Sequence, residues 1–381
     1  MVANVQLPWL ARVLLTLSAG GLVSLYAQAL PPVVPLPLPE TSRFSSFSLQ
    51  VDPLPPTQFR GMSVAHNYQQ GGERGYGSPT SHATLVELKG LGVNWISLTP
   101  FGFMRGKSAD QIQLATRARE GERDDRMKVD IAAAHALGLK VMLKPHLWIH
   151  HGVWCGEINP GSPIRWENWK QSYRQFILHY AEFSQATGVD ILTIGVELKT
   201  VSTDEVFWRS LIHDIRQVYQ GKLVYAANWD ETSQVEFWAD LDYVGVQLYA
   251  PLAPRGDELP DELALNLQNY LTSVVALSHQ VNRPLLITEV GFTTARGSLQ
   301  KPWLWPEHLS GASLDPLEQA AGYATLLQGL GHTPEVAGLF VWKWFTDPLT
   351  SEEGAGGFSP RGKPAEKLLQ QAFTPSATRD P

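Results

Sequence analysis

Ile191-Leu-Thr-Ile-Gly-Val-Glu197 and Pro284-Leu-Leu-Ile-Thr-Glu289 decide how this chain reads. Each is a short apolar run rich in β-branched residues, as expected of a strand buried on both faces. Each closes on a glutamate. A carboxylate is seldom left at the inner end of a buried strand unless its charge is used. Gly195 and Gly291 flank the pair and are expected to bring the backbone close to whatever the carboxylates face.

Working outward, the same kind of run recurs. Strands are predicted at Arg60–Val64, Asn94–Thr99, Lys140–Lys144, Ile191–Val196, Leu223–Ala227, Tyr243–Leu248, Leu285–Thr288 and Gly338–Trp342. Amphipathic stretches alternate with them: Ser81–Leu91, Asp124–Leu137, Trp166–Thr187, Asp204–Tyr219, a short one at Gln234–Trp238, Asp261–Val281 and Asp315–Leu330, with Pro364–Ala372 last. Gly92 and Gly138 follow two of the helical stretches, where a left-handed residue closes a helix before the next strand. Alternation of this kind builds a parallel sheet with crossover helices, and eight units predict an α/β fold of one closed (β/α)8 barrel. An open doubly wound sheet normally carries a glycine-rich phosphate loop after its first strand. Here that place holds His66-Asn-Tyr-Gln-Gln-Gly-Gly, which is not such a loop.

Composition narrows the function. The 381 residues are 44% hydrophobic and 18% charged, as in a globular protein, and the net charge of −7 is spread without a basic stripe. Nucleic acid is therefore excluded as a partner. The 13 tryptophans mostly serve packing, and the remainder offer flat faces on which sugar rings stack. Cys155, the single cysteine, reads as a structural thiol, so no internal disulfide forms. Residues 1–29 have a short basic region with Arg12, an apolar run from Val13 to Val23, and Ala27-Gln-Ala29 as a small-x-small cleavage site, which together read as a signal peptide. The run is broken by glycines and is shorter than the roughly 20 residues of a spanning helix. The expectation is a secreted or periplasmic monomer with no stable membrane insertion. Residues 30–57 are a Pro-rich linker, 58–374 the barrel, and 375–381 a tail.

In such a barrel the active site lies at the C-terminal ends of the strands. Those ends carry His66 and Asn67, Lys144 and His146, Glu197, Asn228 and Trp229, Gln247 and Tyr249, Glu289, and Trp342, Lys343 and Trp344, residues suited to a polyhydroxylated ligand. The fourth and seventh strands are three apart around the ring, so Glu197 and Glu289 face each other across the mouth. Two such carboxyls can hydrolyse a glycosidic bond: one protonates the leaving oxygen and the other attacks the anomeric carbon, with retention when they lie about 5–5.5 Å apart. That division of labour needs unequal pKa values. Apolar Val196 and nearby tryptophan favour a raised value at Glu197, and the Tyr249 hydroxyl is a donor that can hold Glu289 ionised.

Ile194-Gly-Val-Glu197, Tyr225-Ala-Ala-Asn-Trp229, Ile287-Thr-Glu-Val-Gly291 and Phe340-Val-Trp-Lys-Trp344 together resemble glycoside hydrolase family 113, one of a large clan of retaining (β/α)8 glycosidases. The likeness runs over most of residues 59 to 371. It implies an endo-β-1,4-mannanase with Glu197 as acid/base and Glu289 as nucleophile, acting on a polysaccharide or oligosaccharide without cofactor. One departure stands out: much of the clan places Asn before the acid/base to hold the substrate 2-hydroxyl, and this chain has Val196. Asn228, Lys144 and His146 are alternatives for that contact.

His146-Leu-Trp-Ile-His150-His151 lacks metal-ligand spacing, so no catalytic metal is expected. His150 and His151 read as loop residues beside Trp154. Phe340, Trp342 and Trp344 alternate inward, so one of the two indoles floors the sugar site, with Lys343 either facing substrate or solvated. Trp303 and Trp305 are candidates for outer subsites. Two other readings stand beside the mannanase: a barrel that cuts another β-linked envelope or plant polysaccharide, and a catalytically silent carbohydrate-binding barrel.

Overall fold

The computed structural model describes residues 42–47, 49–66, 74–114, 123–305, 308, 313–348 and 353–374. The leader, the first part of the Pro-rich stretch, Asn67 and the tail lie outside them. In chain order the elements are β1 (Phe59–Ala65), α1 (Pro79–Gly90), β2 (Trp95–Leu98), β3 (Phe101–Met104), β4 (Gln113–Leu114), α2 (Asp124–Ala136), β5 (Lys140–Leu143), β6 (His146–Ile149), α3 (Pro163–Thr187), β7 (Ile191–Val196), α4 (Glu205–Val218), β8 (Lys222–Asn228), β9 (Tyr243–Gln247), α5 (Pro260–Val281), β10 (Leu285–Val290), α6 (Pro316–Gly331), β11 (Val336–Phe345) and α7 (Pro364–Phe373). Eight parallel strands close into a barrel in the order β1-β11-β10-β9-β8-β7-β5-β2. The expected (β/α)8 fold is therefore present, with Glu197 and Glu289 following or ending its fourth and seventh strands.

Every barrel strand contributes one side chain to an interior plug. Trp95, Met142, Ile191, Val224, Leu286 and Phe340 are buried together, and Phe59 and Tyr243 pack against them. Because side chains alternate along a strand, the residues two or more positions further on lie above this plug, at the mouth. Lys144 follows Met142 in this way and Gln247 follows Tyr243. A second, larger core fills the ring between strands and helices, with Trp169, Tyr173, Trp208 and Tyr225 among its members. Gly92 and Gly138 do adopt left-handed φ values, 91° and 70°.

The structure departs from the sequence expectations in four places. The short helix expected at Gln234–Trp238 is replaced by two 3-10 turns, Thr232–Gln234 and Trp238–Asp240, so the connection from β8 to β9 has no α-helix. Outside the eight predicted strands, β3, β4 and β6 form a small separate sheet in the order β4-β3-β6. The described part of the Pro-rich stretch is not a free spacer. Phe44 and Leu54 are buried, and the Leu54 amide donates to the Ala372 carbonyl at 2.8 Å, because apolar side chains within the stretch find a site against the barrel. Finally, Gly195 and Gly291 serve packing: a Cβ on Gly195 would meet Trp208 at 2.6 Å and Tyr225 at 2.7 Å, and one on Gly291 would strike the Trp342 carbonyl. Among the described residues no helix is long and apolar enough to cross a membrane.

Candidate active site

Both glutamates sit at irregularities in the ladder. The pairing of β7 with β8 shifts register between Thr193 and Val196, and that of β10 with β9 shifts between Ile287 and Glu289. Such bulges re-aim a side chain and are frequent beside active sites. Glu197 goes further, with φ at 52°, a left-handed value that costs a non-glycine residue of order 1–3 kcal/mol unless its surroundings impose it. They do. The Glu197 amide donates to the Ala226 carbonyl at 2.9 Å, and the next amide, Leu198, donates to the Tyr225 hydroxyl at 3.1 Å. That hydroxyl donates in turn to the buried Glu231 at 2.6 Å, and Glu231 also accepts from the Asn228 amide at 3.1 Å.

The two carboxyls have different surroundings. Glu197 accepts from Trp154 Nε1 at 2.7 Å and from Gln247. Burial, with the charge of Glu289 second, pushes its pKa up to about 7, against the lowering effect of those two hydrogen bonds and of Lys144. Glu289 instead meets a cation. Its Oε2 forms an ion pair with Lys144, whose side chain is fully buried, and its Oε1 accepts from the Tyr249 hydroxyl at 2.5 Å. Burial and Glu289 together push the Tyr249 phenol well above its usual range, so it remains a donor. Lys144 also donates to Gln247 Oε1 at 3.4 Å. Since a lysine ammonium only donates, the Gln247 amide nitrogen is left for Glu197. One chain of contacts, Glu197–Gln247–Lys144–Glu289, thus spans the mouth.

The other predicted site residues divide. His146 stands near Lys144 and Glu289, and burial, then Lys144, lowers its pKa to about 4, which keeps the ring neutral. His66, buried beside the Tyr76 ring, is likewise lowered to about 4 by burial and Lys343. Trp342 lies with the Lys144 ammonium 5.3 Å from its ring centroid, so it belongs to the site. Trp229 is half-buried and stacks on Trp303 with centroids 6.0 Å apart and planes at 21°, an aromatic platform contributed by two loops. The Asn228 side chain turns to Asp230 at 2.8 Å.

Three expectations are corrected. Trp344 has no exposed surface and lies beneath the Arg361 guanidinium, 4.8 Å from its centroid, so it cannot floor a sugar site. Lys343 neither faces substrate nor is solvated: it is 5% exposed, paired with buried Glu353, and set against the rings of Trp305, Trp342 and Phe345. Lys144, with no exposed surface, cannot touch a substrate hydroxyl either.

Trp154, Gln247 and Glu231 carry functions that the strand-end reading did not assign. Trp154 follows the loop histidines, and only the folded loop brings its indole to Glu197. Gln247 stood among the strand-end residues, a usable signal. The same loop brings His146, Cys155 and Glu197 so close that one ligand atom from each lies within 4.8 Å of the others. Cys155 is nonetheless a neutral thiol: its Sγ donates toward the Val196 and Glu197 carbonyls at 3.5 and 3.6 Å, and burial, then Glu197, pushes its pKa well up.

A (β/α)8 barrel with two unequal carboxyls at its mouth, ringed by indoles, defines a glycoside-hydrolysing enzyme. The comparisons agree. The sequence profile of Glycoside Hydrolase Family 113 matches residues 66–361, and the chain belongs to that family. Among solved structures, a family 113 β-1,4-mannanase aligns with TM-score 0.72 and 23% identity over 83% of this chain and 99% of its own. The family 113 β-mannanase AaManA from Alicyclobacillus acidocaldarius aligns with TM-score 0.70 and 27% identity over 85% and 98%. A family 5 mannosidase from Rhizomucor miehei shares the fold at TM-score 0.56 and 9% identity, over 83% and 92%. No curated protein matches the chain in sequence.

Proposed function

We propose that this glycoside hydrolase is an exported endo-β-1,4-mannanase that retains anomeric configuration, with Glu197 as acid/base and Glu289 as nucleophile. The observation that carries the proposal is the asymmetry of the carboxyls. Glu197, with its pKa near 7, holds a proton available to a leaving oxygen, whereas Glu289 is surrounded by the ammonium and hydroxyl donors that suit a carboxylate. In the first step an electron pair of Glu289 forms a bond to the anomeric carbon as the glycosidic bond breaks and Glu197 passes its proton to the departing oxygen. In the second, water attacks the same carbon, its proton goes to Glu197, and the bond to Glu289 breaks. In this reading neutral His146 and the Trp342 ring contact the reacting sugar, and the Trp229–Trp303 stack suits a further unit of the chain. Mannan is favoured because AaManA, similar over most of both chains, is a β-mannanase. Export is favoured by the composition of residues 1–29.

The test is reducing-end release from mannan, glucomannan, xylan, β-glucan and chitosan, with product sizes resolved. Short oligosaccharides from the mannans, lost by several orders of magnitude in Glu197→Gln and Glu289→Ala, are expected. Preference for another polymer removes the mannanase reading. Binding of manno-oligosaccharides without cleavage makes the barrel a binding module.

A further inference from the structure

Taking Glu289 as the nucleophile proposed above, we infer that Lys144 is its positioning residue: a buried counter-ion that fixes Oε2 against the protein, so that Oε1, beside Tyr249, makes the bond to the anomeric carbon.

Taking an ammonium out of water costs several kcal/mol unless a partner and further contacts compensate. Lys144 has no exposed surface and stands at the end of β5, above the apolar plug. Its contacts are Glu289 Oε2, Gln247 Oε1 at 3.4 Å and the Trp342 ring at 5.3 Å. It has no open face toward a ligand.

Among the described residues the titratable groups around the pair are identifiable. Glu197 approaches from the end of β7, His146 from β6, Tyr249 from the segment after β9 and the Cys155 thiol from the loop after β6; Gln247 of β9 is uncharged. His146 is neutral and Tyr249 and Cys155 keep their protons, for the reasons of burial given above. The Lys343 cation on β11 is already held by Glu353. Lys144 is thus the cation placed between two carboxyls, in contact with one of them.

The consequence concerns which oxygen reacts. Oε2 is backed by an ammonium with no solvent side, whereas Oε1 is held by a hydroxyl. When the Oε1 electron pair forms the bond to the anomeric carbon, the bond to the leaving oxygen breaks and Glu197 supplies that oxygen's proton. Oε2 then becomes the carbonyl oxygen of the glycosyl ester, still facing Lys144. In the second step the electron pair returns to Glu289 as the ester bond breaks, and the ammonium stabilises the carboxylate that departs. Lys144 therefore acts through Glu289 in both steps without touching the sugar.

The experiment replaces Lys144 by Met, similar in length and uncharged. Protein carrying carbon-13 in its glutamate carboxyls is observed by NMR at fixed pH, with the Glu289 signal assigned by its loss in Glu289→Gln. The Glu289 carboxyl signal is expected to move in Lys144→Met, which removes the ammonium at Oε2, and to stay near its wild-type position in Lys144→Arg. On a manno-oligosaccharide kcat falls by about tenfold or more in Lys144→Met with KM little changed, and Lys144→Arg restores part of it. If Lys144→Met does not fold, the double variant Lys144→Met/Glu289→Gln is compared with it in urea, and recovery of a cooperative transition is expected because no charge is then left unpaired. An unchanged Glu289 signal in folded Lys144→Met, or no recovery in the double variant, overturns the inference. The NMR measurement needs no turnover, so a wild-type enzyme inactive on mannan refutes the proposed function and leaves the Lys144 result separately readable.

Discussion

Removing the indole N–H from Trp154 should move the alkaline limit of activity upward. Glu197 is held near pH 7 by opposing effects: burial and the charge of Glu289 raise it, and hydrogen bonds from Trp154 and Gln247, with the charge of Lys144, lower it. Trp154→Phe keeps an aromatic ring in the loop but deletes the donor 2.7 Å from Oε2. A hydrogen bond to a charged group is worth about 1.5–3 kcal/mol, and the indole is 37% exposed, so water replaces part of the loss. A net effect of about 1 kcal/mol is a rise of roughly 0.7 unit. The sign follows from the role: the acid must be protonated to act, so activity disappears as pH rises through its pKa, and raising that pKa extends activity to higher pH. The basic limb of kcat/KM, which reports the free enzyme, is expected to move from about 7 toward 8, with the acidic limb in place. A basic limb that stays put or moves down refutes this account of Glu197.

Two further outcomes follow from the surrounding structure. Lys343→Met removes the ammonium paired with Glu353, which keeps the charge of Lys363 and the Phe358 amide, so the unfolding free energy in urea should fall by up to about 3–5 kcal/mol; a loss below about 1 kcal/mol would show that the pair has little effect on stability. Trp303→Ala removes the ring stacked on Trp229, a loss of about 0.5–1.5 kcal/mol beyond buried area. It should raise KM several-fold for long manno-oligosaccharides and leave that for the shortest cleaved ones unchanged, and equal effects on both would remove the platform from substrate binding.

The barrel and its two acids were legible because they depend on local signals. A run such as Ile191–Val196 is buried on both faces whatever surrounds it, and the βα rhythm then numbers the strand ends. Polar partnerships were legible only where they come from a strand end, as with Tyr249 and Glu289. Trp154 was missed as a partner of Glu197 because it reaches the acid through a loop whose path depends on the β3–β4–β6 sheet, built from strands of two to four residues with little periodicity. Trp344 and Lys343 were misplaced for a related reason. Alternation assigns a side chain to one face of β11, but it does not say whether Arg361 or Glu353 already covers it. Lys144 was correctly placed at the mouth, yet its complete burial follows from three other strands and has no signature in its own segment.

The central claim is that Glu289 forms a covalent bond to the sugar while Glu197 manages the proton. A fluorosugar inactivator of the β-mannosyl series, followed by proteolysis and mass spectrometry, tests it most directly. Stoichiometric inactivation is expected, with the label on the peptide containing Glu289 and on that residue by fragmentation. A label on Glu197 or elsewhere, or products of inverted configuration from an enzyme that takes no label, would contradict it.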